Sequence, residues 1–335
     1  MRKYIGKVLA KVRLKKIGIR VYFFFTNGWT DSIAFSRKKI ITLLVRYRSR
    51  KGIYAIDLDS DWLGLGARIV KTLEILLYCE ENGLQPLIRY NYREKQKAGE
   101  DYFGELFCYK LADKKILSTA RFTCIRDIDE LGWTEDYNKK LRLDFVKSLF
   151  AKYLFINPDI VAEVELYCRN NFDGTKVLGV HYRGTDKAGE APLVAETQML
   201  EHIRAVLLEN TFLKMIFFSA DDEKLITFLQ RADLPVPVIF REDAVRSKDG
   251  DQFHRKKEIS KSVVNRDAIV NMLLLSHADF LLKTASILSD CSVIFNPSIP
   301  VKVISFPHSD NLTWWPATEI KQNQGKGNYE IAETK

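Results

Sequence analysis

The chain has 335 residues, 46% hydrophobic and 28% charged, which is enough apolar material for a sizeable core and a length that favours two domains over one. Its longest apolar runs, at 21–25 and 69–77, fall short of the ~20 residues that cross a bilayer, so no transmembrane helix is expected. The net charge of +9 sits at one end: the first 51 residues carry 15 Lys and Arg against the single acid Asp31, while the rest of the chain is net −5, which excludes nucleic acid as the partner of the folded body.

Residues 1–16 interleave apolar and cationic side chains as an interfacial helix does, so this basic segment, taken as 1–50, has two readings. It is a docking element for an anionic membrane surface, or it is a solvated tail. Cations interrupt any signal-peptide core and no small-residue cleavage site follows. Five cysteines, widely spaced and without a CxxC pair, indicate neither a zinc site nor a disulfide framework. A reducing cytoplasmic location is expected, peripheral on the inner membrane face if the basic segment docks there.

From residue 53 the pattern alternates between strand and helix. Residues 53–58 read as a strand, Gly64-Leu65-Gly66 as a turn, 67–81 as a helix capped by Gly83, and 86–90 as a second strand, together a βαβ unit. Residues 91–172 read as mostly helical, with 141–155 the clearest helix. In the second half, strands are expected at 177–182, 214–219, 237–240, 279–284 and 301–305, with helices at 196–208, 223–230 and 266–276. Short strands alternating with helices predict an α/β fold with parallel sheets covered on both faces. The polar loops 181–193, 220–222 and 284–286 each follow a strand at its carboxyl end, where open α/β sheets bind ligands, so the three are expected to share one crevice.

The loop His181-Tyr182-Arg183-Gly184-Thr185-Asp186-Lys187 is the most informative stretch. A nucleotide diphosphate that leaves a sugar gains negative charge, and a site without metal must meet it with Arg, Lys and backbone N–H groups. Arg183 offers a planar fork and Lys187 a point charge, with Asp186 available to orient Arg183. An ordinary βα loop with a local salt bridge is the plainer reading. Asp57-Leu58-Asp59, with Asp61, spells the D-x-D of metal-dependent glycosyltransferases, but strand-end solvation is the preferred reading and no metal site is expected. No P-loop or G-x-G-x-x-G occurs.

Residues 181–189 resemble the H-x-R-R-T-D-K-x-G motif of α1,6-fucosyltransferases and the related rhizobial nodulation fucosyltransferases. Phe218-Ser219-Ala220-Asp221-Asp222 and Leu275-Ser276-His277-Ala278-Asp279-Phe280-Leu281 resemble two further motifs of that family in the same order. The resemblance spans about 178–307 and implies a GT-B fold, two Rossmann-like domains facing across a cleft. It further implies GDP-fucose as donor, inversion at the anomeric carbon, and no metal or other cofactor. On this reading 51–172 is the acceptor-side domain, 173–310 binds the nucleotide sugar, and 311–335 is a tail. The donor crevice would comprise His181, Arg183, Lys187, Asp222, Asn271, Thr284 and Ser286, with Gly64, Gly66 and Arg68 beneath the sugar nucleotide. The family's second arginine is Gly184 here, its guanine-reading acid falls at Asn271, and its catalytic carboxylate falls at Ala191. Glu190, one position earlier, is therefore nominated as the base, with Asp186 as the fallback. The acceptor implied is a glycan or lipid-linked glycan. A donor other than GDP-fucose in surface-polysaccharide synthesis, and a non-catalytic binding or peripheral membrane protein, remain as alternatives.

Overall fold

A computed structural model describes residues 39–45, 47, 49, 52–60, 63–91, 101–110, 120–125, 134–184, 190–247, 259–308 and 314–323. The amphipathic segment 1–16, Asp61, and the loop positions Asp186, Lys187 and Gly189 lie outside them.

In the first half, β1 (Ile53–Asp59), α1 (Leu65–Asn82) and β2 (Gln85–Asn91) form the expected βαβ unit, β1 and β2 pairing in parallel from Ile53 opposite Gln85 to Asp59 opposite Asn91. Gly83 ends α1 in the left-handed region (φ 61°, ψ 37°), its N–H reaching Cys79 O and Glu80 O. That conformation costs glycine little and other residues more. β4 (Thr123–Ile125) adds a third parallel strand, giving the order β2-β1-β4. Between them α2 (Tyr102–Leu106) leads into β3 (Phe107–Tyr109). The stretch expected to be mostly helical does supply α3 (Thr134–Lys140), α4 (Leu143–Tyr153) and α5 (Pro158–Asn171), but it also holds β3, β4 and β5 (Leu154–Ile156). Three-residue strands are too short to show a period of two, and β5 takes over where the expected helix would have run on to 155.

The second half carries a five-stranded parallel sheet in the order β10-β9-β6-β7-β8: β6 (Val177–Tyr182), β7 (Met215–Ala220), β8 (Val238–Ile239), β9 (Phe280–Lys283) and β10 (Val301–Val303). Alternate residues divide between two cores. Leu178, Val180, Phe218 and Leu282 pack beneath α6 (Glu196–Glu209) and α7 (Glu223–Arg231), while Val177, Phe217, Leu281 and Val303 join one continuous core with the first half. That shared core is built by α1, α4, α8 (Lys261–Ser276) and α9 (Ile287–Phe295).

Helix α9 has no counterpart in the sequence reading. Its residues Ser289 to Ile294 are all buried, polar and apolar alike, so it shows no amphipathic stripe to detect. It meets α1 closely: a Cβ on Gly66 would stand 2.6 Å from Leu288 N. Gly66 thus belongs to the first turn of α1 and permits backbone-to-backbone contact between the halves, whereas Gly64 precedes the helix with open space around it. Beyond position 311 the chain returns to the first half as α10 (Ala317–Asn323). Buried Trp315 donates through Nε1 to Glu319 (2.8 Å), and Glu319 accepts from Leu143 N (3.0 Å).

Candidate functional site

Strands β9, β6 and β7 are neighbours, and their register sets Lys283, His181 and Ser219 side by side at the carboxyl ends. The loops that follow are tied to one another. Arg183 N donates to Thr284 Oγ1 (2.9 Å), Gly184 N donates to Asp221 Oδ1 (3.0 Å), and Arg183 Nε lies 3.3 Å from Asp221 Oδ2. Thr284 N donates to His181 O (3.1 Å). The three loops therefore meet at one edge of the sheet, as their positions after strands predict. Because α9 starts at Ile287 and Gly66 of α1 abuts Leu288, the loop leaving β1 lies across from the loop leaving β9.

Arg183 is held by Asp221, which is buried. This salt bridge joins the loop after β6 to the loop after β7 rather than closing within one loop, and it orients the guanidinium. Asp222, assigned to the crevice from the sequence, instead caps α7: its Oδ1 accepts from Lys224 N at 2.9 Å. The capping rule carried the missing signal, since the acid directly before a helix is the one drawn to its free N–H groups, which leaves Asp221 to the loop. Gly184 is explained by its neighbour. A Cβ there would run into the Tyr182 ring, 2.9 Å from Cζ, and Tyr182 is fixed by its hydroxyl donating to Val194 O (2.9 Å). No side chain fits at 184 while Tyr182 stands there.

His181 is buried, with no hydrogen-bond partner on Nδ1. Burial, then Lys283 and Arg183, depress its pKa to about 3, so the imidazole is neutral at pH 7. Lys283 is itself buried and pairs with Asp290 of α9 at 2.8 Å. A lysine ending an apolar buried strand gives no periodic signal, and the sequence reading missed both partners. Ser286 precedes α9 without a side-chain cap bond, and the backbone of Ile287 and Leu288 in its first turn packs against Gly66 of α1. Lys283, Asp290, Ser286 and Glu190 line a narrow cavity of about 40 Å³. Glu190 is exposed, its carbonyl accepting from His308 N (2.8 Å), while the adjoining Ala191 is buried. Of these two positions, 190 is the one that presents a side chain to solvent.

Other nominated residues are placed elsewhere. Arg68 is fully buried and gives its guanidinium to main-chain carbonyls: Leu58 O, Ser60 O, Leu63 O (3.1 Å) and Asn91 O (3.0 Å). It closes the carboxyl end of the first sheet. Asn271 Nδ2 donates to Asp267 Oδ2 (3.3 Å), one turn earlier on α8. Asp267 in turn receives Arg241 (2.8 Å), and burial, partly offset by that arginine, raises its pKa to about 6.

Asp57 and Asp59 correct the expectation of solvated strand ends, since both are buried. Burial raises the Asp57 pKa, with Arg89 opposing and Asp59 adding to the shift. Asp57 Oδ1 and Arg89 Nε, on paired positions of β1 and β2, have no hydrogen-bond partner. Among the described residues, no group of three or more His, Cys, Asp or Glu is arranged to hold a metal ion.

No protein-family model and no curated protein matches the chain. Among solved structures it is similar to the fucosyltransferase NodZ from Bradyrhizobium, with a TM-score of 0.52 at 12% identity over 76% of this chain and 99% of that one. It is likewise similar to NodZ α-1,6-fucosyltransferase co-crystallized with GDP, with a TM-score of 0.51 at 13% identity over 75% and 94% of the two chains. The chain thus has the α/β fold of these fucosyltransferases, of GT-B type, and at such identities the likeness is one of fold.

Proposed function

We propose that the chain is an inverting, metal-independent glycosyltransferase that moves fucose from GDP-fucose to a hydroxyl of a glycan or lipid-linked glycan. The observation that carries this reading is the joining of Arg183, Asp221 and Thr284 beside the uncapped start of α9, in a fold shared with NodZ structures, one of them soaked with GDP-fucose. Arg183 is pre-oriented by Asp221, and the nearby N-terminus of α9 adds the positive end of its dipole. Both favour the diphosphate more as it departs than before, which is the condition for rate acceleration. The family resemblance adds Lys187 as a further cation.

In the transfer, the anomeric carbon–phosphate oxygen bond breaks with its electron pair going to GDP. The acceptor oxygen forms the new bond from the opposite face, and its proton passes to Glu190. This requires no metal ion, because the developing charge is met by protein cations and amides.

A second reading has a specific observation behind it. Asn271 is an amide engaged with Asp267, and an amide meets guanine's N1 and N2 donors less well than a carboxylate does, which favours another sugar nucleotide. Thermal unfolding with GDP, UDP, CMP and TDP separates the two, since saturation at ~100 Kd stabilises by about 2.7 kcal/mol. GDP alone should raise the midpoint, and GDP-fucose should turn over equally with and without EDTA. Stabilisation by a different nucleotide selects the second reading. Stabilisation by none, with no turnover of any sugar nucleotide, rejects both and leaves a non-catalytic protein.

A further inference from the structure

Residues 39–45, with Tyr47 and Ser49, are helical. Ile41 and Val45, one turn apart, are buried in the core shared by the two halves. Leu43, Leu44 and Tyr47 turn the other way and are 52%, 41% and 63% exposed. Residues spaced i, i+1 and i+4 on a helix lie on one side of it. The helix is therefore pinned by one apolar stripe and presents a second one to solvent. A helix that only had to cover the core would carry polar residues on that outer face.

The charge around this stripe indicates what covers it. Lys39 is exposed on the same helix, and the sequence interleaves or follows the stripe with Arg46, Arg48, Arg50 and Lys51. The whole stretch of 51 residues holds a single acid. Two leucines and a tyrosine among cations without acids match a bilayer interface, where apolar side chains enter the headgroup–acyl boundary and cations meet anionic headgroups. A phosphate backbone would use the cations but not the leucines. A second copy of this chain would set cation against cation.

We propose that this helix face docks the protein on an anionic lipid surface through Leu43, Leu44 and Tyr47. The proposal stands on the outer face of a core-anchored helix and does not depend on the transfer reaction.

Co-sedimentation of the full chain with vesicles tests it. The chain should pellet with phosphatidylglycerol–phosphatidylcholine vesicles and stay in solution with phosphatidylcholine alone, and 0.5 M salt should weaken the binding. A Leu43→Ser/Leu44→Ser/Tyr47→Ser variant should lose at least about tenfold in apparent affinity, following the apolar area withdrawn. It should keep the wild-type unfolding midpoint, because the replaced side chains are exposed. Equal binding by wild type and variant would assign the membrane contact to the cations alone and overturn the proposal. Absence of vesicle binding overturns it too, as does light scattering that shows a concentration-dependent dimer abolished by the variant, in which case the occupant is a second copy. Nucleic acid displacing the chain from vesicles without loss in the variant has the same consequence.

Discussion

Replacing Arg183 with alanine separates a diphosphate site from a structural salt bridge. The arginine side chain is 22% exposed, and its Nε stands 3.3 Å from a carboxylate whose other oxygen is engaged by Gly184 N. Two costs follow, and they differ in kind. For binding and chemistry, one charge-assisted hydrogen bond to phosphate contributes about 1.5–3 kcal/mol. Removal of a single charge-stabilising donor in a closed site costs at least about a hundredfold in turnover, equivalent to about 2.7 kcal/mol. For stability, Asp221 loses one partner but keeps the Gly184 amide. The full cost of an orphaned buried charge is ~3–5 kcal/mol, so about 1–2 kcal/mol is expected, a fall of a few degrees in Tm for a chain of this size. Calorimetric titration with GDP and with guanosine, beside initial rates of transfer, distinguishes the two. Arg183→Ala should bind GDP at least tenfold more weakly and guanosine as before, and should transfer at least a hundredfold more slowly while remaining folded. GDP affinity and rate both within about threefold of wild type would show that Arg183 serves only Asp221, and would refute the assignment.

Two further substitutions test the packing and the electrostatics beneath the crevice. Gly66→Ala places a methyl against the backbone of Leu288, which cannot move aside as a flexible side chain would, so ~1–3 kcal/mol of destabilisation is expected. Gly64→Ala, with nothing within 4 Å, loses only the glycine N-cap of α1, a cost of about 0.5–1 kcal/mol, and equal urea midpoints for the two would contradict the close α1–α9 contact. His181 has its pKa depressed from 6.5 to about 3 in the folded chain, so the unfolded state binds the extra proton between those values. Its contribution is complete above pH 6.5 and is lost as the pH falls toward 3. At pH 5 the loss is on the order of 2 kcal/mol. His181→Asn should flatten the dependence of urea stability between pH 7 and 5 by about that amount, and parallel curves would show that the imidazole titrates normally.

The parts legible in the sequence were those with a local signal. The βαβ unit from Ile53 to Asn91 announces itself through an apolar strand, a capping glycine and a second strand, and the structure follows it to within two residues at each end. The gathering of the three loops was legible for the same reason, since polar loops after buried strands must meet on one edge of a parallel sheet. What stayed hidden depends on burial from all sides. Helix α9 mixes serine, aspartate and cysteine with apolar residues because every face is covered, and Lys283 finds its counter-ion Asp290 only once α9 is in place. Asp57 and Asp59 looked solvated because charged residues at a strand end normally are, and only the folded chain covers them.

Tyr182 and Gly184 alter the meaning of the departure from the family motif. Read along the chain, a glycine in place of an arginine is a missing phosphate contact. In space it is half of an exchange: the Tyr182 ring fills the volume that a side chain at 184 would need, and its hydroxyl, donating to Val194 O, fixes the ring there. Restoring arginine at 184 alone would therefore force the ring away and break that bond. On the proposed function, the diphosphate is met among the described residues by Arg183, which Asp221 orients. On that proposal, one arginine braced by Asp221 stands where the motif this loop resembles has two. On that reading, the placement of Arg183 depends on Asp221, although a carboxylate there also repels a diphosphate.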